Sequence, residues 1–380
     1  MLRIEFTDQI RSLLDDVQTW DSLASGVPFR EAAWLRPWWD TFGHNLEARI
    51  LTARDQDNRL RGILPLYVSP APSQSKTLRL IGDGQACSDY ASILVADEDA
   101  NEVADAMGQF LTECVSDQQF GWDQIDLDGV VEGDPAMAQL GRSLKSGGAS
   151  LHAQSRMSTW FRPHAGSWDE HLAKHGKTQR RKMRRWLKVL EAGTDVEKVV
   201  ANTEPQVDEI LNRLIDLHQR RWNEAGEAGS YADPTFREFV AKAAKSFSSK
   251  QRLYLVGLKH AGEFIGAELN FIGGNRVQYS YSAGYDVDAS EFEPGRLLNV
   301  DVIQQVYQND LAGIDYMRGD EEYKKRMATE SRRVFHTRVV APTLLPKLRH
   351  AAWCTQFEFG QWMRRRTGRP LIDVIDFTSI

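Results

Sequence analysis

The stretch G-I-D-Y-M-R-G-D-E-E-Y-K-K-R, residues 313–326, changes character at its midpoint. Its first five residues, Gly313-Ile314-Asp315-Tyr316-Met317, read as a short strand. The run behind them, Arg318-Gly319-Asp320-Glu321-Glu322-Tyr323-Lys324-Lys325-Arg326, sets a glycine, carboxylates, a phenol and basic groups beside one another. In open α/β sheets ligands gather where strands end, so this run is a candidate site as well as a turn.

Upstream of it the pattern is regular. A helix starting near Pro294 carries Leu297, Leu298, Val302 and Val306 at helical spacing. Residues 277–283 read as a strand before it. Residues 253–258 and 264–271, joined by a polar turn, read as a hairpin. The first half repeats this order: residues 48–52 and 62–69 form a hairpin around Asp55-Gln56-Asp57-Asn58, strands follow at 78–81 and 91–95, then a helix over 101–115 and a strand over 122–127. The first fifty residues read as helical, with Pro37 in a first helical turn.

A chain of 380 residues exceeds what one core usually organises, so two domains are expected. Apolar residues at 42% and charged residues at 26% describe a globular protein and exclude a largely disordered one. Ser146-Gly147-Gly148-Ala149-Ser150 marks the boundary region. The expected division is a first domain over 1–155, a second over 156–345, and a basic, aromatic helix and tail over 346–380 packing on the first. Glu5 and Asp8 interrupt the start where a signal peptide needs an apolar run, and no transmembrane segment is predicted. A cytoplasmic protein is expected. Cys87, Cys114 and Cys354 have no C-x-x-C spacing and read as packing thiols, with no disulfide framework and no metal site. The net charge of −6 disfavours duplex nucleic acid as a partner.

Other constellations carry chemistry. In Phe292-Glu293-Pro294-Gly295-Arg296-Leu297-Leu298 a loop passes at once into an apolar helix, whose free N–H groups suit a pyrophosphate. The strand before it places Tyr279, Tyr281 and Ala283 on one face and Ser280 and Ser282 on the other. The helix from Lys177 has a wholly basic face opposite Met183, Trp186, Leu187 and Leu190, and that face, Arg185 included, suits coenzyme A phosphates, an anionic glycan, membrane headgroups or transfer RNA. His218, Arg221 and Trp222 share one helical side that suits a substrate cleft. No zinc-protease, serine-hydrolase or P-loop motif occurs.

These segments together resemble the GNAT-type (GCN5-related N-acetyltransferase) proteins of the cellulose-biosynthesis CelD-like family, relatives of the FemAB peptidyltransferases. The resemblance rests on the basic helix, on Leu217-His218-Gln219-Arg220-Arg221-Trp222, on Ala283-Gly284-Tyr285-Asp286, on Pro294-Gly295-Arg296-Leu297-Leu298, on the stretch from Ile314 to Lys324, and on Ser88-Asp89-Tyr90 in the first half. It implies an α/β (α+β) fold of two tandem GNAT-like domains, each a mixed, mostly antiparallel sheet flanked by helices. The implied activity is transfer of an acyl group from acetyl-CoA or another acyl-CoA, without a metal, to an N or O of a sugar or of a cell-envelope or exopolysaccharide precursor.

On this reading Asp320 is the base or acceptor-orienting carboxylate, Tyr323 and Lys324 complete the site, and Glu268 and Tyr281 are second choices. A phenol would return a proton to the thiolate. Gly295, Arg296, Leu297 and Leu298 would hold the donor phosphates, and His218, Arg221, Trp222 and Arg185 the acceptor. The sequence departs from the GNAT loop Q/R-x-x-G-x-G/A, with Glu293-Pro294-Gly295-Arg296 in its place. FemAB relatives use aminoacyl-tRNA and bind the acceptor between two such domains, so a tRNA-dependent transferase stays open beside a catalytically silent scaffold. Peripheral membrane contact also stays open.

Overall fold

The computed structural model describes residues 2–70 and 75–380. They divide into two compact units: Met1–Thr159 with Arg332–Ile380, and Trp160–Ser331.

In chain order the elements begin β1 (Arg3–Thr7), α1 (Ile10–Asp15), α2 (Val17–Leu23), α3 (Ala32–Phe42), β2 (Glu47–Arg54), β3 (Leu60–Ser69), β4 (Thr77–Leu80) and β5 (Leu94–Val95). Then come α4 (Ala100–Glu113), β6 (Gln124–Val131), α5 (Pro135–Ser146), β7 (Ser150–Pro163), α6 (Trp168–Ala173), α7 (Lys177–Ala192), β8 (Glu197–Val200), α8 (Glu204–Glu224) and α9 (Pro234–Ser249). The remainder is β9 (Leu253–His260), β10 (Glu263–Ile272), β11 (Val277–Tyr285), α10 (Pro294–Gln308), β12 (Gly313–Asp315), α11 (Glu322–Met327), β13 (Glu330–Val340), α12 (Leu344–Arg366) and β14 (Asp373–Ile375).

In the first unit β1–β2, β2–β3 and β3–β4 pair antiparallel. β4 and β6 are parallel, with α4 as the crossover between them. On α4, Val103, Met107 and Leu111 recur every four residues, as do Leu140 and Leu144 on α5, and these side chains join Leu64, Leu66, Leu78 and Ile125 in one buried core. Each such burial contributes roughly 1.5–3 kcal/mol against the entropy of ordering the chain. In the second unit β8–β9, β9–β10 and β10–β11 pair antiparallel. β11 and β12 are parallel, with α10 as crossover, and β12 pairs antiparallel with Phe161, Arg162 and Pro163 of β7. The second core sets Leu297, Leu298, Val302 and Val306 of α10 with Val256, Leu258 and Trp186. Each unit is therefore a mixed, mostly antiparallel sheet flanked by helices, in the order hairpin, strand, crossover helix, parallel strand.

Several sequence-based expectations change. Residues Arg3–Thr7 are an edge strand on β2, not helix. Pro37 lies inside α3, because that helix already begins at Ala32. Cys87 is exposed, unlike a packing thiol. The division falls at 159/160 and 331/332, because β13 pairs with β6 and takes residues 332–345 into the first unit with α12. Ser88 and Asp89 are buried there, Ser88 Oγ accepting from the Trp34 indole at 2.8 Å and donating to the Gly82 carbonyl.

Candidate active site

A cavity of 1490 Å³ lies within the second unit, and the strand pairing explains why it opens there. β12 is three residues long and covers β11 only at Val277, Gln278 and Tyr279. From Ser280 onward β11 stays paired with β10 and its other edge faces the cavity. The register also shifts here: Leu269 stands opposite Ser282 but Asn270 opposite Ser280, so Tyr281 is the extra residue of a bulge. The bulge breaks the alternation expected of the strand, and Ser280, Tyr281, Ser282 and Ala283 all line the cavity. Tyr279 is instead buried, its hydroxyl accepting from Asn275. The volume exceeds the roughly 300–1,000 Å³ of a one-ligand pocket and has room for two substrates.

Glu268 of β10 enters this cavity from its floor and is 5% exposed. Burial pushes its carboxyl up to about 7, and the charge of Asp301 adds to the rise, against the hydrogen bonds from Ser280 and Asn270 that stabilise the carboxylate. Ser280 Oγ donates to Glu268 Oε1 at 2.7 Å. Asp301, itself buried, accepts hydrogen bonds from Lys198 Nζ at 2.8 Å and from the Tyr254 hydroxyl at 2.5 Å. A carboxyl poised near neutrality suits general-base work.

The phenols of Tyr316 and Tyr323 share the cavity with it. Burial and the charge of Glu268 raise both hydroxyls above the ordinary tyrosine range. They stay protonated and can donate.

The acidic loop divides its residues between two tasks. Tyr323, Lys324 and Glu321 line the cavity. Asp320, the expected base, is exposed and stands outside the lining, so the buried carboxylate of this site is Glu268. The turn that turns Asp320 outward is tightly specified: Met317 is left-handed at φ 61°, its N–H donating to Asp315 Oδ1 at 2.7 Å, and Gly319 stands at φ 145°. A Cβ on Gly319 would lie 2.0 Å from Glu321 Oε2 and 2.6 Å from Lys324 Nζ. Lys324 is 7% exposed, and its Nζ donates to the Arg318 carbonyl at 2.7 Å while pairing with Glu321 at 3.3 Å. Lys324 therefore ties the loop down at the cavity wall.

The start of α10 departs from a simple phosphate cradle. Pro294 has no N–H, and the N–H groups of Arg296 and Leu297 are both taken by the Glu293 carbonyl. Gly295 lines the cavity, and its missing Cβ lets the Tyr285 ring approach to 3.3 Å of that position. Leu297 and Leu298 are 1% exposed and serve the core, although Leu298 also touches the cavity wall. The anion at this helix start is the chain's own: the Glu293 carboxylate accepts from the Trp186 indole at 2.9 Å and from Arg296 at 2.5 Å, and pairs with Arg185. These contacts, the indole first, lower its carboxyl below the usual range.

His218, Arg221 and Trp222 of α8 all line the cavity. The Trp222 indole donates to His218 Nε2 at 3.0 Å, and burial, then Arg221, depress the imidazole to about 4, so it is neutral. Arg221 lies over the Tyr285 ring at 4.9 Å. Arg185 stands outside the lining, where it pairs with Glu293 and lies 5.9 Å over the Trp186 ring. Gln179 and Lys182 bring the basic helix α7 into the lining, and His175, Asn299, Tyr285 and Tyr316, to which the sequence reading gave no role in the site, line it too. In the first unit the crossover helix α4 follows Asp97, Glu98 and Asp99, an acidic entry that repels an anion where α10 offers Gly295.

Residues 177–325 match the family described as an acetyltransferase (GNAT) domain, which spans the cavity lining from α7 to the acidic loop. On this match the chain is an acyltransferase. No curated protein matches the sequence. Among solved structures, FemX is similar at 12% identity over 87% of this chain and 97% of that one, with a TM-score of 0.61. A conserved protein of unknown function from Bacteroides thetaiotaomicron VPI-5482 is similar at 13% identity over 89% and 100%, with a TM-score of 0.51. A tandem GNAT protein from the clavulanic acid biosynthesis pathway gives 14% identity over 90% and 100%, with a TM-score of 0.47. The likenesses concern the fold alone.

Proposed function

We propose that the second unit transfers an acyl group from an acyl-CoA, acetyl-CoA being the simplest, to an amine or hydroxyl of a sugar or of another cell-envelope or exopolysaccharide precursor, the kind of acceptor expected of a CelD-like protein. The observation that carries the reading is Glu268, a buried carboxyl near neutral pKa, hydrogen-bonded to Ser280 inside a cavity that the phenols of Tyr316 and Tyr323 also line. Glu268 accepts the acceptor's proton, directly or through the Ser280 hydroxyl, as the acceptor N or O bonds to the acyl carbon. Tyr323 gives its proton to the departing thiolate as the C–S bond breaks. The proton held by Glu268 then restores the phenol through solvent, and the site returns to its starting state.

Other groups position the substrates. The Gly295 N–H, Lys182 and Arg296 supply donors and positive charge for the donor's phosphates. Trp222 and Tyr281 supply aromatic surfaces suited to a sugar ring, beside neutral His218 and beside Arg221, which lies over Tyr285. Thiol release from acetyl-CoA, followed against a panel of amino sugars and lipid-linked saccharides, tests the reading. Turnover with one of them, lost in Glu268→Gln, is expected. No binding of coenzyme A in calorimetry would remove the donor assignment.

A second reading, aminoacyl transfer from tRNA, is favoured by one feature: Glu293 already places a carboxylate where a pyrophosphate would sit. The exposed Arg181, Arg184 and Arg185 of α7 would then hold RNA. That binding would weaken steeply with salt and vanish on neutralising α7. Aminoacyl-tRNA bound where coenzyme A is not would establish it.

A further inference from the structure

The helix α12 presents an apolar face to solvent. Leu344, Leu348, Phe359 and Trp362 fall on one side at about 3.6 residues per turn, with Leu345 and Met363 at its border. They are exposed at 76, 58, 61, 43, 56 and 42% respectively, in the order Leu344, Leu348, Phe359, Trp362, Leu345, Met363. Isolated exposed leucines need no explanation, but six large apolar residues on one helical face do.

The opposite side fastens the helix within the first unit. The rings of Trp353 and Phe357 stand 4.8 and 4.9 Å from the His152 ring, and the Arg338 guanidinium lies 4.1 Å over Trp353. Gln361 Nε2 donates to the Ile372 carbonyl at 2.6 Å, and Arg349 pairs with Asp123 at 3.6 Å. The apolar face is thus what remains after the helix has made its own contacts.

Charge identifies what covers it. The chain carries −6 overall, yet the charged residues of α12 are Lys347, Arg349, Arg364, Arg365 and Arg366 against Glu358 alone. The basic groups sit at both ends of the helix, and Arg366 lies 4.1 Å over the Trp362 ring. A second copy docking through this face, parallel or antiparallel, would bring one basic end against another. An anionic lipid surface meets both demands together: its acyl boundary takes the leucines, phenylalanine and tryptophan, and its headgroups take the arginines. Among the described residues no helix is long and apolar enough to cross a membrane, so α12 lies on the bilayer rather than through it.

We propose that α12 docks this protein on an anionic phospholipid surface. The test is flotation of the full chain with vesicles of phosphatidylglycerol in phosphatidylcholine and with pure phosphatidylcholine, while light scattering reports oligomeric state. The full chain is expected to float with the anionic vesicles and not with the neutral ones. Phe359→Ser with Trp362→Ser should weaken that binding at least about tenfold, since each removes several buried carbons. Arg364→Gln with Arg365→Gln and Arg366→Gln should weaken it by roughly a hundredfold and remove most of its salt dependence. The proposal is overturned if the unaltered chain ignores anionic vesicles at low salt, or if both variants bind as it does. A dimer that Phe359→Ser with Trp362→Ser dissolves, without vesicle binding by the unaltered chain, would overturn it in favour of a second copy.

Discussion

Ser280 Oγ donates to Glu268 Oε1 at 2.7 Å, and the bulge at Tyr281 brings this pair to the edge of the cavity. The bond favours the charged carboxylate, whereas burial and Asp301 oppose it, and the balance leaves the group near 7. The kcat/KM profile is therefore expected to rise with pH through one ionisation near 7. Ser280→Ala should move that ionisation upward, because it removes a group that holds it down. Glu268→Gln should lower kcat by about 10²–10⁴ and erase the rise.

The same ionisation bears on stability. The carboxyl of Glu268 has an ordinary value of 4.5 and is raised on folding, so the folded chain holds this proton more tightly than the unfolded one. Its contribution is full below the ordinary value and is lost as pH rises through about 7. Urea unfolding of the unaltered chain and of Glu268→Gln should therefore diverge between about pH 5 and pH 8, with the variant gaining on the order of 3 kcal/mol in relative stability. Parallel curves across that range would contradict the raised carboxyl.

Gly319 joins the fold of the acidic loop to its contacts. At φ 145°, with a Cβ position 2.0 Å from Glu321 and 2.6 Å from Lys324, it admits no other residue without moving both side chains. Gly319→Ala is expected to cost about 1–3 kcal/mol in thermal unfolding. Activity should fall further than stability, since Lys324 and Tyr323 shift at the cavity wall. A variant with unchanged kcat and unfolding midpoint would show that the loop relaxes freely.

Much of this fold was legible because its signals are local. The hairpin of β9 and β10 alternates around a polar turn, and α10 announces itself by Pro294 and by the spacing of Leu297, Leu298, Val302 and Val306. β1 and β13 were not: each mixes charged and apolar residues, and β13 becomes a strand only by pairing with β6, far away in the chain. The site divides in the same way. Residues within one motif, such as Tyr323 with Lys324 or His218 with Trp222, were found together. That Asp320 stands outside the cavity lining was not legible, because side-chain direction depends on the backbone angles at Met317 and Gly319, which composition does not encode. Ser280, Ser282 and Tyr281 share the cavity only through a bulge, and a bulge leaves no mark on alternation.

Glu293 offers a handle on the donor. Its carboxylate occupies Arg185, Arg296 and the Trp186 indole together at the start of α10. Glu293→Gln keeps the shape and removes the charge. It should tighten binding of coenzyme A by several-fold, about 1 kcal/mol, because two guanidinium groups and the helix start become available to phosphate. Calorimetry with coenzyme A and with its dephosphorylated form reads the change. If Glu293→Gln weakens both, the carboxylate organises the site for an acceptor rather than competing with a donor.

Asp320→Asn separates the two carboxylates that the acidic loop and the sheet offer to the same chemistry. Asp320 is exposed and outside the cavity, whereas Glu268 is buried within it. Substituting a surface carboxylate away from such contacts usually changes free energies by less than about 0.5 kcal/mol, so kcat/KM should change by no more than roughly threefold. The pH profile should keep its ionisation near 7, because that step belongs to Glu268. A loss of a hundredfold or more with an unchanged unfolding midpoint would return the base to the loop. The Tyr323 turn would then have to close over bound substrate and carry Asp320 inward, a movement that protection of the loop from proteolysis by substrate would reveal.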